Sequence, residues 1–178
     1  MGNDFKDLFG DWRPDEEGRV PPEGIPAEPE NLGRRALNEK EVAVVGVYEE
    51  RSDSGLGFSI DKFFVLLRDN KRREFRIWIA RDMAWAISMA LDNETPDRPF
   101  THDLIKTLLE RLGATIDRIT IDDIWQDTFY AKITLAVNGE TVDIDARPSD
   151  SIALALRFRA PIYVAEYVLE TVAQRSDY

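Results

Sequence analysis

Asn138-Gly139 stands between two alternating runs, TFYAKITLAV (128–137) and ETVDIDA (140–146), and this unit constrains the fold more than any other stretch. A two-residue type I′ turn needs positive φ at both central positions, which Asn and Gly accept at least cost, and its twist matches that of paired antiparallel strands. In the first run Phe129, Ala131, Ile133, Leu135 and Val137 alternate with Tyr130, Lys132 and Thr134, the pattern of a strand with one buried face. The chain is therefore committed to an antiparallel hairpin here. TIDRITIDDIW (115–125) precedes it and extends the hairpin to a meander.

Upstream, EVAVVGVYEE, KFFVLLRD and EFRIWIA predict three more strands, separated by RSDSGLG and a DNKRR turn. ARDMAWAISMALDN predicts a helix with Met83, Ala84, Ile87, Ala90 and Leu91 on one face and Asp82 in its first turn. A second helix is expected from Thr101 as N-cap, with Asp103 in the first turn and Leu104, Ile105, Leu108, Leu109 and Leu112 as its apolar stripe, ending at Gly113. Pro148 and Ser149 open a third helix, SIALALRFR, which stops before Pro161; IYVA predicts a short strand and EYVLETVA a closing helix. Strands and helices come in blocks joined by hairpin turns. The expected class is α+β, with a mixed or largely antiparallel sheet flanked by three to four helices, and not a doubly wound fold.

Residues 1–40 hold five of the nine prolines and five of the ten glycines, a flexible acidic tail whose burial could not repay its ordering entropy. Within it Phe5, Leu8, Phe9 and Trp12 have the spacing of a short amphipathic helix: an arm packing on its own protein or on a neighbouring subunit, or a recognition motif. The folded domain is expected over 41–173, with a short C-terminal tail at 174–178. Apolar runs are too short to span a bilayer, and the start lacks a basic region followed by an apolar stretch, so the expected compartment is the cytoplasm without membrane association. The many aromatic and apolar helix faces suit a homo-oligomer.

With no cysteine and a single histidine, His102, the 178-residue chain cannot build a disulfide, a thiolate zinc site, a cysteine nucleophile or a self-contained multi-histidine metal site. A metal would be held mostly by oxygen, which favours Mg²⁺ or Mn²⁺. The net charge of -11 has the wrong sign for a polyanion ligand, so a nucleic-acid function requires a local basic patch. Residues 61–81 carry seven basic and three acidic side chains; Lys71, Arg72, Arg73, Arg76 and Arg81 there interleave with Phe75 and Trp78. A solvated turn is the plainer reading of the same residues.

Two helix starts share one design. Arg98-Pro99 precedes Thr101-His102-Asp103, and Arg147-Pro148 precedes Ser149-Asp150. Each sets a cation and a carboxylate beside free backbone N–H groups, which suits holding a phosphate oxygen or orienting a water, although Pro, Ser, Thr and Asp are also what any helix start favours. Asp143 and Asp145 lie two apart on a strand and face one side; with Asp150 they could bind Mg²⁺, or they are a solvated strand face in an acidic protein. Asp122 and Asp123, near a hairpin turn, carry less weight. His102, with an unperturbed pKa of about 6.5, is a general base, a donor to phosphate, or a water-exposed residue at a helix start.

Four blocks in order, IWIARDMAWAISMAL, RPFTHDLIKTLLERLG, DTFYAKITL and DIDARPSDSIALALRFRAPIYV, closely resemble the bifunctional nuclease domain family over about residues 41–172. Arg98, Thr101, His102, Asp103, Phe129, Asp145, Arg147, Ser149 and Asp150 occupy its motif positions. Ala80 and Met83 stand where the family's first helix usually has Gly and Glu. The resemblance implies hydrolysis of phosphodiester bonds in DNA and RNA. On that reading His102, Asp103, Asp145 and Asp150 form the catalytic set, and Asp145 and Asp150 hold Mg²⁺ or Mn²⁺. Arg98, Thr101, Arg147 and Ser149, with Lys71, Arg72 and Arg73, bind substrate. The alternative expectation is a non-catalytic oligomeric interaction or regulatory module, in which the Arg-Pro and Asp motifs are structural salt bridges and caps.

Overall fold

The computed structural model describes residues 38–53 and 59–176; the expected arm from Phe5 to Trp12 and all of the tail before residue 38 lie outside the described residues. Seven strands and four helices follow in order: β1 (Glu39–Asp53), β2 (Ser59–Asp69), β3 (Glu74–Ile79), α1 (Arg81–Leu91), α2 (Thr101–Arg111), β4 (Ala114–Trp125), β5 (Thr128–Val137), β6 (Glu140–Ala146), α3 (Pro148–Phe158), β7 (Ile162–Ala165) and α4 (Glu166–Ser176). They form one mixed sheet in the order β3-β2-β1-β7-β4-β5-β6, with only the β4–β7 pair parallel. The class is α+β.

β1 joins two halves of this sheet. Its first residues, Glu39 to Val42, pair with β7, and from Val42 onward it pairs with β2 on its other edge. The Asn138-Gly139 turn has φ of 52° and 85° and closes β5 onto β6 in register from Val137↔Glu140 to Ala131↔Ala146. A second turn of positive φ, Gln126 at 46° and Asp127 at 63°, joins β4 to β5 without a glycine. Register shifts at Ile116/Arg118 and Ile121/Asp123 interrupt the period of two in β4. Asp122, at the second shift, is buried on the Lys132 side of the sheet, with its Oδ2 2.9 Å from Lys132 Nζ.

The helices α1, α3 and α2 pack in that order, with α3 against β4 and β5 and α1 against β1 and β2. Ile152, Ala153 and Ala155 of α3 are fully buried, together with Ile119 and Ile121 of β4 and Val164 of β7. A large aliphatic side chain buried this way contributes about 1.5–3 kcal/mol relative to exposure. Met83, where the family usually has Glu, is buried in this apolar core.

Two expectations about α2 are corrected. Thr101 is not the N-cap: Phe100, extended after Pro99 (ψ 177°), holds that position, and the Asp103 carboxylate accepts its backbone N–H at 3.0 Å. Pro99 disfavours helical backbone at Arg98 and the helix takes its first turn from Thr101, so the capping carboxylate comes from inside the helix. The expected stripe also splits. Ile105 and Leu109 pack on the core, whereas Leu104, Leu108 and Leu112 are 49%, 53% and 74% exposed, because α2 is the outer helix of its layer among the described residues and packs mainly against α3 and β4.

Candidate functional site

The two Arg-Pro helix starts meet. His102 lies in the first turn of α2 and is buried, and its Nε2 is 3.2 Å from Asp150 Oδ1 in the first turn of α3. The other Asp150 oxygen accepts a hydrogen bond from Arg147 Nε at 2.6 Å. Asp150 therefore bridges a sheltered imidazole and an outward guanidinium that is 73% exposed. Its hydrogen bond raises the Arg147 pKa above the usual guanidinium value, with Asp82 of α1 contributing through space. The Arg147 carbonyl accepts N–H of Ser151 and also its Oγ, both at 3.0 Å, which fixes the start of α3.

A second pair lies beside the first. Arg157 is two helical turns after Asp150, so both project from the same face of α3 toward α2. Arg157 Nε donates to Asp103 Oδ1 at 2.6 Å, and its Nη1 donates to the carbonyls of Ala86 and Ala153 at 3.1 and 3.0 Å. Burial pushes the Asp103 carboxyl upward, but the Arg157 and Phe100 hydrogen bonds outweigh it and hold it below its ordinary value. Consecutive residues of α2 are thus clamped by Asp150 and Arg157. Arg157 was missed in the sequence because it stands in an ordinary amphipathic run; its signal was the seven-residue spacing from Asp150.

An aromatic wall borders these groups. Trp85, one turn after Asp82 on α1, is exposed and meets the Phe100 ring edge-on at 4.8 Å between centroids.

The remaining candidates separate. Ser149 is buried and Thr101 exposed at the two helix starts. Arg98 is exposed and makes no hydrogen bond or ion pair among the described residues. Asp145 and Asp143 pair in register with Lys132 and Thr134 of β5, on the face opposite the buried Ala131, Ile133 and Leu135. The Thr134 hydroxyl donates to Asp143 at 2.7 Å. Lys132 gains basicity from its bond to Asp122, reinforced by Asp143 and Asp145. The sheet thus carries Asp145 on a different side from Asp150, whose helix packs on the buried face of β5.

Arg73 does not project into solvent as a free cation. It binds Asp69 at 2.7 Å and grips Glu166 with both terminal nitrogens at 2.8 and 3.0 Å, tying the β2–β3 turn to α4. Lys71 and Arg72 are exposed beside it. Arg76 lies 3.5 Å from Glu50, and Arg81 lies 3.1 Å from Asp61. Phe75 is in the core, while Trp78 is exposed.

Among the described residues no three His, Asp or Glu side chains converge as a closed metal centre. Asp150 is the carboxylate of this centre, and its two oxygens are engaged by His102 and Arg147. No helix among the described residues is long and apolar enough to cross a membrane.

Residues 65–177 match the sequence profile of the Bifunctional nuclease domain. An uncharacterized protein of Mycobacterium tuberculosis is 40% identical over 130 residues, 72% of this chain and 73% of its own length. Bifunctional nuclease 1 of Oryza sativa subsp. indica is 35% identical over 78 residues, and Bifunctional nuclease 1 of Arabidopsis thaliana 28% identical over 82. These matches cover 42% and 44% of this chain and only 24% and 25% of the plant proteins. The His102–Asp150 and Arg157–Asp103 clamps lie wholly within the matched segment, and the chain belongs to the bifunctional nuclease domain family.

Proposed function

We propose that this chain is a hydrolase of phosphodiester bonds in DNA and RNA, with its centre at His102, Asp150 and Arg147. The observation that carries this reading is the bridge through Asp150, one oxygen on a buried imidazole and the other on an exposed guanidinium. In the tautomer with its proton on Nε2, toward Asp150, His102 keeps a lone pair on Nδ1; on this reading it takes a proton from the attacking water and returns it to the leaving oxygen. Asp150 orients the ring and stabilises it once protonated, as a carboxylate does behind any catalytic imidazole. Arg147 and Arg98 bind phosphate, and the backbone N–H groups at the start of α2 add partial positive charge. Asp103 holds that helix start in place through Phe100 and Arg157. A Mg²⁺ or Mn²⁺ at this centre would take the outward oxygen of Asp150 in place of Arg147 and would supply charge against the phosphate. Lys71 and Arg72 serve on this reading as outlying cations that a longer substrate meets, and Asp145 takes no part in the centre.

Cleavage of single- and double-stranded DNA and RNA is measured with Mg²⁺, Mn²⁺ or EDTA, alongside His102→Ala and Asp150→Ala variants with unchanged circular dichroism. The expected result is loss of about 10²-fold or more in each variant, the usual contribution of a general base. Wild-type turnover in folded His102→Ala removes the imidazole from the reaction.

One observation favours a second reading, a non-catalytic oligomeric module. Leu104, Leu108 and Leu112 on α2, with Val142 and Ile144 on the edge strand β6, leave five large apolar side chains about half exposed or more. A contiguous apolar patch marks contact with another molecule, and on this reading the three leucines of α2 supply it. Absence of cleavage together with a stable homo-oligomer would favour it.

A further inference from the structure

The sheet face formed by β1, β2 and β3 carries an aromatic row. Tyr48, Phe64 and Trp78 are direct cross-strand partners, Tyr48↔Phe64 and Phe64↔Trp78, so the rings run across three adjacent strands. Tyr48 stacks on Phe64 at 5.4 Å between centroids with planes 21° apart, and Phe64 meets Trp78 at 5.2 Å. Gly46 makes room for this: a Cβ there would come within 3.3 Å of the Tyr48 ring, which lies along the sheet. Phe64 is buried between its neighbours, whereas Tyr48 and Trp78 are 42% and 50% exposed. The row lines a groove of about 890 Å³ whose far wall includes Phe129.

Cations frame the row. Lys62, Arg68 and Arg76 project from the same face as Phe64 and Trp78, as the register requires. Arg76 lies over the Phe64 ring at 4.7 Å and Lys62 faces Trp78 at 6.0 Å. The acidic partners, Glu50 for Arg76 and Glu74 for Arg68, form exposed ion pairs. Exposed pairs contribute under about 1 kcal/mol, so Arg68 and Arg76 can turn from these carboxylates toward a phosphate with little loss of pairing energy.

We infer that this face binds single-stranded nucleic acid, with unpaired bases stacking on Tyr48 and Trp78 and the phosphates running past Lys62, Arg68 and Arg76. Every base has a π-face, so stacking tolerates any sequence, and a duplex cannot present its bases to rings that lie flush with a sheet. The inference deepens the nuclease reading by naming its substrate class and rests on the nucleic-acid part of it.

The test uses the full chain in EDTA, so that cleavage is suppressed, and labelled oligodeoxythymidylate of about 15 nucleotides, a length on the scale of one such site. A blunt duplex of equal length serves as comparison, and fluorescence anisotropy reports binding. Tyr48→Leu and Trp78→Leu remove the rings while keeping apolar bulk; Phe64 is left alone because it is buried. Single strands are expected to bind more tightly than the duplex, and each substitution to weaken single-strand binding about tenfold, the equivalent of one lost stacking contact. Thermal melts confirm folding, and light scattering follows subunit number. Wild-type affinity in the double variant overturns the proposal, as does equal affinity for duplex. A change of subunit number with unchanged affinity assigns the row to self-association and overturns it too. If wild type binds single strands through these rings but cleaves nothing with either metal, the platform stands and the hydrolase reading falls. If cleavage requires His102 while both ring variants bind normally, the reverse holds.

Discussion

Replacing Arg157 with Met tests the clamp behind the proposed centre. The Arg157 side chain is 7% exposed and donates to Asp103 and to two carbonyls, one on α1 and one on its own helix. Methionine retains much of the apolar stem but leaves the Asp103 carboxylate, itself 26% exposed, with only the Phe100 N–H. Removing one partner of a buried ion pair costs about 3–5 kcal/mol, and the partial access of water to Asp103 places this case near 3 kcal/mol. For a domain of this size that lowers the thermal midpoint by about 10 °C. The cost depends on pH. The folded-state pKa of Asp103 lies below its ordinary 3.8, so the pair stabilises the fold fully above that value and is lost as pH falls through the folded pKa. Urea unfolding of wild type and Arg157→Met, followed by tryptophan fluorescence, should show the full difference at pH 7 and a shrinking one below pH 3.8. Adding Asp103→Asn removes the stranded charge and should recover part of the loss. A difference under 1 kcal/mol at pH 7, or one that does not change down to pH 3, would refute the argument that Arg157 and Asp103 are a buried, mutually dependent pair.

Arg73→Met should cost about 3 kcal/mol in chemical denaturation, because it strands buried Asp69 and releases Glu166. The Arg73 hydrogen bond holds the Glu166 pKa below its ordinary 4.5 despite opposing burial, so that part of the penalty fades as pH falls below 4.5; a pH-independent penalty would count against the ion pair. Gly139→Val forces a β-branched residue to a φ of 85° and should destabilise by about 1–2 kcal/mol in thermal melts, even though open space surrounds the position; an unchanged melt would show that the turn relaxes. If α2 is a subunit contact, Leu108→Glu should lower the mass seen by light scattering while moving stability by no more than about 0.5 kcal/mol, since the side chain is exposed. An unchanged mass would dismiss α2 as the contact.

Local chemistry decided much of this protein. The alternation of residues 128–137 and the Asn138-Gly139 turn specify β5 and β6 because twofold side-chain periodicity and positive φ are properties of a few adjacent residues. Gly113 ends α2 with a φ of 72°, and Pro148 opens α3, for equally local reasons. The two Arg-Pro motifs marked the helix starts where His102 and Asp150 stand. What could not be read there depends on distance through space. Helix spacing gives the side of a helix but not whether a neighbour covers it, so Leu104, Leu108 and Leu112 looked like core until α2 took the outer place in its layer. Asp145 and Asp150 are five residues apart, yet the sheet lies between the faces they occupy, whereas His102 and Asp150, 48 apart, meet at 3.2 Å. Arg73 reads as a surface cation until α4 brings Glu166 to it from 93 residues away. Propensity and periodicity therefore fixed the elements and most of their ends, the start of α2 excepted; only packing, which balances the desolvation of each charge against the partner it finds, decided which charges stay outside and which meet.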